Sequence, residues 1–254
     1  MQSVERAFDL MEAIADAGGE ISMSDLATAS HLPLPTIHRL LRTLVGLGYA
    51  RQLPSRQYAL GPRLIRLGEQ AGKQLGTVAT PELRRLVGEL GESANLAMLD
   101  GDGAVYVAQS PSPHSMRMFT EVGRRVDMHS TGVGKVLLAL AGDDDARTVA
   151  ARVGLEGRTV HTITTVDALL VELAVIRRRG FALDAEEQEL GVTCMAVPVN
   201  GPVKMAMSVS GPTSRMGAAR LKELRPILTA AADRLATQMS EGDPSATTPR
   251  EPRR

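Results

Sequence analysis

The sequence predicts an α/β protein of the α+β type, with a small helical N-terminal part and a larger C-terminal part built on a mainly antiparallel sheet. Two observations lead to this class. Residues 1–61 show three short helical patterns followed by two short strand patterns. Residues 77–240 alternate amphipathic helical segments with paired apolar segments that turn at glycine, aspartate or asparagine, which is typical of hairpins.

The composition suits a chain with a packed core and excludes several classes of protein. Its 254 residues are 43% hydrophobic, and 29 basic residues balance 29 acidic ones, so any positive surface must be local. The single cysteine, Cys194, excludes an intrachain disulfide framework and a cysteine zinc cluster. No apolar run reaches the roughly 20 residues that span a bilayer, and no signal peptide is seen. We therefore expect a cytoplasmic protein without a membrane partner.

Neither a metal nor a cofactor is expected. The five histidines show no metal-ligand spacing. They are His31, His38, His114, His129 and His161.

The first helix is predicted from six apolar residues at helical spacing. They are Val4, Ala7, Phe8, Met11, Ile14 and Ala15. Ser3 stands where an N-terminal cap is expected, and Gly18-Gly19 ends the pattern.

A second and a third helix follow, with a short connection between them. Ser22 and Asp25 have the spacing of a capping box, with Ile21 and Leu26 as its hydrophobic staple, so we predict a helix over residues 23–30. Pro35 fits the first turn of the third helix, where the missing N–H group costs nothing.

The third helix has two different faces. Helical spacing puts Ile37, Leu40, Leu41, Leu44 and Leu47 on the apolar side. The opposite side offers hydrogen-bond donors, namely Thr36, Arg39, Arg42 and Thr43, with His38 at its edge. Two short strands over residues 49–52 and 57–60, around a turn with Pro54 and Ser55, complete a predicted winged helix-turn-helix domain over residues 1–61.

Acidic residues are missing from most of this region. After Asp25 the next acid is Glu69, and between them lie Arg39, Arg42, Arg51, Arg56, Arg63 and Arg66. Phosphates repel carboxylates and attract arginines, so we predict double-stranded DNA as a partner. The predicted contacts are Thr36, His38, Arg39, Arg42 and Thr43 in the major groove, with Arg51 and Arg56 at phosphates or in the minor groove. The alternative is a chance gap in the acids, with ordinary solvated arginines.

The rest of the chain is divided into a linker helix over residues 62–76, a second domain over residues 77–240 and a disordered tail over residues 241–254. In the second domain Thr80 is the expected cap of a helix with Pro81 in its first turn. Hairpins are predicted to turn at residues 100–103 and 200–202. Further helices open after residue 131, cover residues 164–179 and close the domain, where Pro226 is expected to kink or divide the last one.

A glycine-bearing segment is the first candidate for a small-molecule site. The stretch STGVGK is not a phosphate loop, because His129 replaces the first glycine and Val136 follows the lysine. What remains is a helix N-terminus, whose amides at Thr131, Gly132 and Val133 would attract an anion. The alternative is a plain helix cap.

A second candidate cluster consists of Asp184, Cys194, Ser208 and Ser210. Strand alternation puts the two serines on one face, and Cys194 lies on the neighbouring strand of the same hairpin. Hydroxyls, a thiol and a carboxyl on a buried face suit a small polar ligand. Taken singly, Cys194 is better explained as a small buried apolar residue and Asp184 as a surface acid among glutamates, and the ligand site depends on the set.

Three stretches resemble the IclR-type bacterial transcription regulators: LPLPTIHRLLRTLVGLGY, MHSTGVGKVLLA and GFALDAEEQELGVTCMAVPV. The resemblance covers nearly the whole chain except the tail. It implies a winged helix-turn-helix domain followed by an effector-binding domain related to the GAF fold. It also implies a homodimer or a homotetramer, the latter a dimer of dimers, on a palindromic operator, with effector contacts at the two clusters above.

The family also implies a kind of regulation. Many members repress a catabolic operon, some activate one, and their effectors are small organic acids or aromatic metabolites. General similarity favours repressors of allantoin (purine) or glyoxylate utilisation with a carboxylate or ureide effector, and an activator with an aromatic-acid effector is the alternative. The family usually has a small polar residue where Pro35 stands, so the resemblance implies a larger role for Thr36 in phosphate contact.

Two other kinds of protein compete with a regulator. A hydrolase could use Cys194 as nucleophile, His129 as base and Asp184 as orienting acid, but nothing in the sequence places them within hydrogen-bond reach. A purely architectural DNA-binding protein is disfavoured by the large second domain, which carries no basic excess. We therefore predict a regulator that is not an enzyme.

Overall fold

A computed structural model describes residues 2–75, 78–118, 120–201 and 203–241. The chain divides into two compact units, Met1–Lys73 and Gln74–Arg254, and each is described by itself. The predicted tail lies outside the described residues from residue 242 onward. None of the helices in the described ranges is long and apolar enough to cross a membrane.

The N-terminal unit is a winged helix-turn-helix, as the sequence predicts. Its elements are α1 (Gln2–Asp16), β1 (Glu20–Ile21), α2 (Met23–Ser30), α3 (Leu34–Gly46), β2 (Ala50–Gln52), β3 (Tyr58–Leu60) and α4 (Arg63–Leu75). The strands form an antiparallel sheet in the order β1-β3-β2. The sequence did not predict β1, because two residues are too few for an alternating pattern.

The capping residues of α2 and α3 act as the sequence predicts. The Ser22 hydroxyl accepts a hydrogen bond from the Asp25 amide at 3.1 Å and donates one to the Asp25 carboxylate at 2.7 Å. Pro33 is the N-cap of α3, and Pro35 stands in its first turn. The core that these helices share contains Leu10, Ile14, Ile21, Leu26, Ile37, Leu41 and Tyr58.

Part of the predicted apolar pattern is not buried within this unit. α1 begins at Gln2, so Ser3 lies inside the helix and is not its cap. Leu10, which the prediction omitted, is fully buried. Four residues assigned to the core are exposed instead: Val4, Phe8, Ala15 and Leu47. Spacing identifies an apolar face but does not show how much of it one chain covers.

The C-terminal unit has one six-stranded antiparallel sheet. Its elements are α5 (Ala79–Leu90), β4 (Ser93–Asp100), β5 (Gly103–Ser110), β6 (Arg125–Val126), α6 (Gly132–Ala141), α7 (Asp143–Val153), α8 (Val166–Arg179), β7 (Ala182–Ala185), β8 (Val192–Val199), β9 (Met205–Pro212) and α9 (Ala218–Glu241). The strand order is β6-β5-β4-β9-β8-β7, and all pairs are antiparallel. The predicted antiparallel sheet is confirmed, whereas β6, α7 and β7 were not predicted.

The two faces of this sheet carry side chains of different size. α5 and α9 cover a face of larger residues, including Leu96, Met195, Val197, Met207 and Val209. α6 covers the other face, where the core residues include Ala97, Ala104, Ala182, Ala196 and Ala206. Small side chains bring α6 close to the strands, so a Cβ on Gly132 would lie 3.2 Å from the Cys194 sulfur. This approach fixes the start of α6 beside Cys194.

Two details of the predicted helices are wrong. α5 has Val78 at its N-cap, so Thr80 lies inside the helix and does not cap it. α9 is one continuous helix through Pro226, so the predicted division there is wrong, whereas the alternative of a kink at Pro226 stays a prediction. The second hairpin turns between β8 and β9 as expected, although Pro202 lies outside the described residues.

Gly134→Ala should destabilise the protein by about 1–3 kcal/mol, which is typical of overpacking. The added methyl group would lie 2.5 Å from the Met128 Cα and 2.6 Å from the Asp127 carbonyl oxygen, and backbone cannot move aside as a flexible side chain can. Gly88→Ala in α5 is the matched control, because nothing lies within 4 Å of its added methyl group. That variant should gain up to about 1 kcal/mol from helix propensity. Urea unfolding measures both, and equal stabilities would contradict the packing argument.

Candidate nucleic-acid interface and ligand cavity

The exposed face of α3 presents the residues that the sequence assigned to DNA. His38, Arg39, Arg42 and Thr43 are exposed and Thr36 is half-buried. The opposite face, with Ile37, Leu41 and Leu44, is buried in the core of the N-terminal unit. Among the described residues no ion pair engages either arginine side chain, so both guanidinium groups are free to bind an external anion.

The first turn of α3 is shaped by two prolines. The Thr36 amide donates to the Pro33 carbonyl at 2.9 Å, and Pro35 has no N–H group to offer. At Pro35 and Thr36, the Thr36 hydroxyl is therefore the donor that remains to bind a phosphate.

The turn between β2 and β3 places an arginine at its tip. The Arg56 amide donates to the Leu53 carbonyl at 2.9 Å, and the Leu53 amide donates to the Gln57 carbonyl at 2.8 Å. Arg56 has φ +67°, a left-handed conformation that few non-glycine residues adopt. Arg51 and Arg56 are both exposed. Arg63 differs, since its guanidinium lies over the Tyr49 ring and donates to the Leu47 carbonyl at 3.0 Å.

The C-terminal unit contains a cavity of about 270 Å³ between β5, β6, the start of α6 and the ends of β7 to β9. Its floor consists of buried polar residues: Tyr106, Thr120, Thr131, Asp184, Cys194 and Ser210. Its rim carries charged residues: Arg124, Arg125, Asp127, Arg158 and Glu189. The cavity is therefore polar and small, at the lower end of the range for ligand sites.

Strand register brings the second predicted cluster together. Asp184 on β7 pairs with Cys194 on β8, which pairs with Ser210 on β9. These three side chains form one row across the floor. Thr131 joins them from α6, where its hydroxyl accepts from the Gly134 amide at 3.1 Å and donates to the Asp127 carbonyl at 2.6 Å.

Three residues of the predicted ligand site do not line the cavity. Gly132 packs against Cys194 and Ala196, and Val133 is fully buried in the core beneath α6. Ser208 is also fully buried, one pleat away from Ser210 and paired with Ala196. The close packing of α6 therefore leaves Thr131 as the cavity residue among the three at the helix N-terminus.

The floor stays mostly neutral because burial opposes charge. Burial raises the pKa of Asp184 to about 7, and the nearby Glu187 carboxylate acts in the same direction. Hydrogen bonds from the Glu187 and Gln188 amides and the charge of Lys135 oppose this rise. Burial and the charge of Asp184 raise the pKa of the Cys194 thiol to about 12, although hydrogen bonds with the Ser210 and Ser208 hydroxyls act to lower it. The pKa of Tyr106 is also raised, chiefly by burial.

The geometry speaks against the hydrolase alternative. A nucleophilic cysteine needs a lowered pKa, whereas the Cys194 thiol stays protonated. His129 Nε2 lies 2.9 Å from the Glu156 carbonyl oxygen, which engages that ring nitrogen. The lysine of STGVGK, Lys135, is fully buried and donates to the Leu183 carbonyl at 2.7 Å and to the Glu187 carboxylate. In the described ranges no group of histidine, cysteine or acidic residues could hold a metal ion.

Sequence reasoning missed several cavity residues. They come from β5, from the segment before β6 and from two loops, and they are Tyr106, Thr120, Arg124, Arg158 and Gln188. Of these, Tyr106 could have been noticed in the sequence, because it is the single aromatic residue of strand β5. The others are ordinary polar residues whose position depends on how the loops return to the sheet.

The unfolding free energy should depend on the protonation of Asp184. Its pKa is about 7 in the folded protein and about 3.9 in an unfolded chain. Between these values the folded state holds a proton that the unfolded state releases, so stability falls as pH rises through this window, by up to about 1.4 kcal/mol per pH unit. The raised pKa of Glu187 acts in the same direction.

Asp184→Asn should flatten that slope, since asparagine can still accept from the Glu187 and Gln188 amides. Glu189→Gln, at an exposed acid on the same cavity, should keep the wild-type slope. Urea unfolding across the pH window tests both variants. A wild-type slope in Asp184→Asn would show that another group carries the proton.

Comparison with known proteins agrees with both units. The family model "IclR helix-turn-helix domain" matches residues 3–54, and "Bacterial transcriptional regulator IclR C-terminal" matches residues 71–237. The chain is 35% identical to the HTH-type transcriptional regulator BhcR of Paracoccus denitrificans over 94% of this chain and 88% of that one. It is 33% identical to the transcriptional repressor IclR of Escherichia coli over 91% of this chain and 88% of that one.

A solved structure shows the same fold. The crystal structure of the transcriptional regulator RHA06195 from Rhodococcus sp. RHA1 has a TM-score of 0.80 and 29% sequence identity, covering 96% of this chain and 100% of that one. These relatives are transcriptional regulators and not enzymes. The protein described here belongs to the IclR family of bacterial transcriptional regulators.

Proposed function

We propose that this regulator is a repressor of a catabolic operon and that a small organic acid or ureide releases it from DNA. The observation that carries the proposal is that the two units present different kinds of binding surface. One unit presents free arginines on an exposed helix face, and the other holds a small polar cavity. A relative of 33% identity is a transcriptional repressor, which supports repression over activation.

In this proposal α3 enters the major groove of the operator. Thr36, His38, Arg39, Arg42 and Thr43 face the bases and phosphates, and Arg51 and Arg56 on the strand hairpin reach phosphates or the minor groove. The support is that all of them except the half-buried Thr36 are exposed, and that the opposite face of α3 is buried in the core. Arginine can read guanine through two parallel hydrogen bonds in the major groove.

The effector is proposed to bind on the cavity floor, with Thr131, Asp184, Cys194 and Ser210 as contacts. A volume of about 270 Å³ suits a ligand of few atoms. Allantoin- and glyoxylate-related compounds fall in this class, and general sequence similarity is what supports them. The effector must bind the DNA-competent and incompetent states with different affinity, since equal affinity would shift no equilibrium.

A palindromic operator calls for two copies of the chain, and we propose a homodimer or a dimer of dimers. The N-terminal unit leaves apolar side chains uncovered on α1 and α4. Val4 and Phe8 on α1 are 63% and 59% exposed, and Ile65 on α4 is 63% exposed. A second copy that covers these residues would remove apolar area from water. It would also set the spacing of two recognition helices to about one turn of DNA or its multiples.

The proposed function is tested by fluorescence anisotropy with DNA from upstream of the protein's own gene. Titration at two salt concentrations separates specific binding from the salt-sensitive background. Allantoin, allantoate, glyoxylate, pyruvate and aromatic acids are then added in turn. Specific binding that one compound releases supports the proposal, and binding that a compound strengthens would favour the activator alternative. Binding no tighter than to unrelated DNA would contradict it.

Arg39→Ala should weaken operator binding by about 1–3 kcal/mol, the range for a base-contacting arginine. The physical reason is the loss of a free guanidinium from the exposed face of α3. Arg84→Ala removes an exposed positive charge from α5 in the other unit and serves as the matched control. Anisotropy titrations compare affinities and salt slopes. If both variants bind the operator like the wild type, Arg39 does not contact DNA.

Ile65→Glu should weaken self-association, because it puts a charge into the proposed contact between copies. Its side chain is 63% exposed in the single chain, so the fold of the unit should be kept. Val160→Glu, at a residue that is 88% exposed in the C-terminal unit, is the control. Sedimentation velocity measures the oligomeric state. An unchanged distribution in Ile65→Glu would exclude this part of α4 from the interface.

A further inference from the structure

The arginines at the rim of the cavity differ in whether they have a partner. Arg125 pairs with Asp100 at 2.5 Å, and its aliphatic stem lies against Gly103. Arg158 pairs with Asp127 at 2.7 Å and with Glu156 at 3.1 Å. These two guanidinium groups already have carboxylates beside them, which offset their charge and weaken their attraction for the carboxylate of a ligand.

Arg124 is different. Among the residues that the structure describes, no hydrogen bond or ion pair engages its guanidinium group, although it lines the same cavity. Its backbone is held in place, since its carbonyl accepts from the Tyr106 amide at 3.2 Å and its amide donates to the Glu121 carbonyl at 3.2 Å. Its charge acts on the cavity interior, because it opposes the rise in the pKa of the Tyr106 phenol.

The floor offers hydrogen bonds and no cation. Tyr106 is buried, with 5% of its surface exposed. Within the described ranges its hydroxyl has no hydrogen-bond partner. The raised pKa keeps this hydroxyl protonated, so it can donate to a ligand. The nearby ammonium group of Lys135 is occupied by the Leu183 carbonyl and the Glu187 carboxylate. Asp184 supplies an acceptor, and it repels an anion whenever it is ionised.

Among the described residues Arg124 is therefore the rim cation without an ion pair, on a rim that also carries Glu189, and the floor is neutral or negative. We propose that Arg124 binds the carboxylate of the effector, while a neutral hydroxyl, carbonyl or amide end of the same molecule lies on the floor against Tyr106 and Asp184. This inference rests on the proposed effector-binding function. It assigns a specificity-determining residue and a direction to the ligand, with the anionic end toward the rim and away from the start of α6.

The volume limits the size of this two-ended acid. If each non-hydrogen atom takes about the 30 Å³ of a liquid water molecule, 270 Å³ holds roughly nine of them. A short hydroxy or oxo acid fits this limit, and a benzoate with one polar substituent, with about ten such atoms, lies at its upper edge. A nucleotide or a coenzyme A thioester is too large.

The test compares carboxylates with their uncharged primary amides on the full-length protein. The probes are glycolate, pyruvate, lactate and 4-hydroxybenzoate, each beside its amide. Thermal unfolding identifies the pair that stabilises the wild type most, and calorimetric titration then gives both affinities. The carboxylate should bind more tightly than its amide. Arg124→Gln should weaken the carboxylate by about tenfold, as expected for one partly exposed charge-assisted hydrogen bond, and leave the amide unchanged.

Arg147→Gln is the matched control, since it removes one exposed positive charge from α7 at a residue that does not line the cavity. It should keep the wild-type preference for the carboxylate. Because Arg124 is exposed, its variant should unfold at the wild-type temperature without ligand.

Three outcomes would overturn the inference. They are equal carboxylate affinity in Arg124→Gln and wild type, equal losses for the carboxylate and its amide, and no preference for any carboxylate in the wild type, including no binding at all. Operator binding is measured on the same samples. If the operator is still bound specifically in any of these cases, the assignment of Arg124 fails while the DNA-binding part of the proposed function stands.

Discussion

The close approach of α6 to the small-residue face of the sheet is the constraint on which the C-terminal unit depends. Gly132 leaves no room for a side chain beside Cys194 and Ala196, and the other alanines of this face keep the strands near α6. Gly134 leaves none beside the backbone of Asp127 and Met128. Lys135 of α6 is fully buried, and its ammonium group donates to the Leu183 carbonyl and to the Glu187 carboxylate. Breaking such a buried pair by removing one partner typically costs about 3–5 kcal/mol. The pair therefore ties α6 to the turn after β7.

The ligand cavity is a consequence of this tie. Glu187 and Gln188, in the turn that Lys135 holds, donate their amides to Asp184 and keep its carboxyl on the floor. The same packing buries Cys194 under α6 and keeps its thiol protonated. A site that raises the pKa of every titratable floor residue is built to hold a ligand by hydrogen bonds. It lacks the activated nucleophile that hydrolysis through a cysteine would need.

The arginines of the two units differ in whether they form ion pairs within the chain. In the N-terminal unit Arg39 and Arg42 of α3 are exposed and form no ion pair with any residue that the structure describes, so they are available to a polyanion such as DNA. In the C-terminal unit most rim arginines are paired within the chain, as Arg125 is with Asp100 and Arg158 with Asp127. The balanced total charge hides this difference. The sequence nevertheless indicates the positive face of α3, because a local stretch without acidic residues can be recognised without knowing the fold.

The sequence by itself determined the elements whose signals are local: the capping box of Ser22, the two faces of α3, both long hairpins, and the shared face of Ser208 and Ser210. Helical and strand periods follow from backbone geometry, so a few neighbouring residues suffice to show them. Tertiary structure decided which of these residues reach a site. It buried Gly132, Val133 and Ser208 between α6 and the sheet, brought Tyr106 and Arg124 to the cavity, and left Phe8 uncovered. Such outcomes depend on contacts between distant segments, which no local pattern encodes.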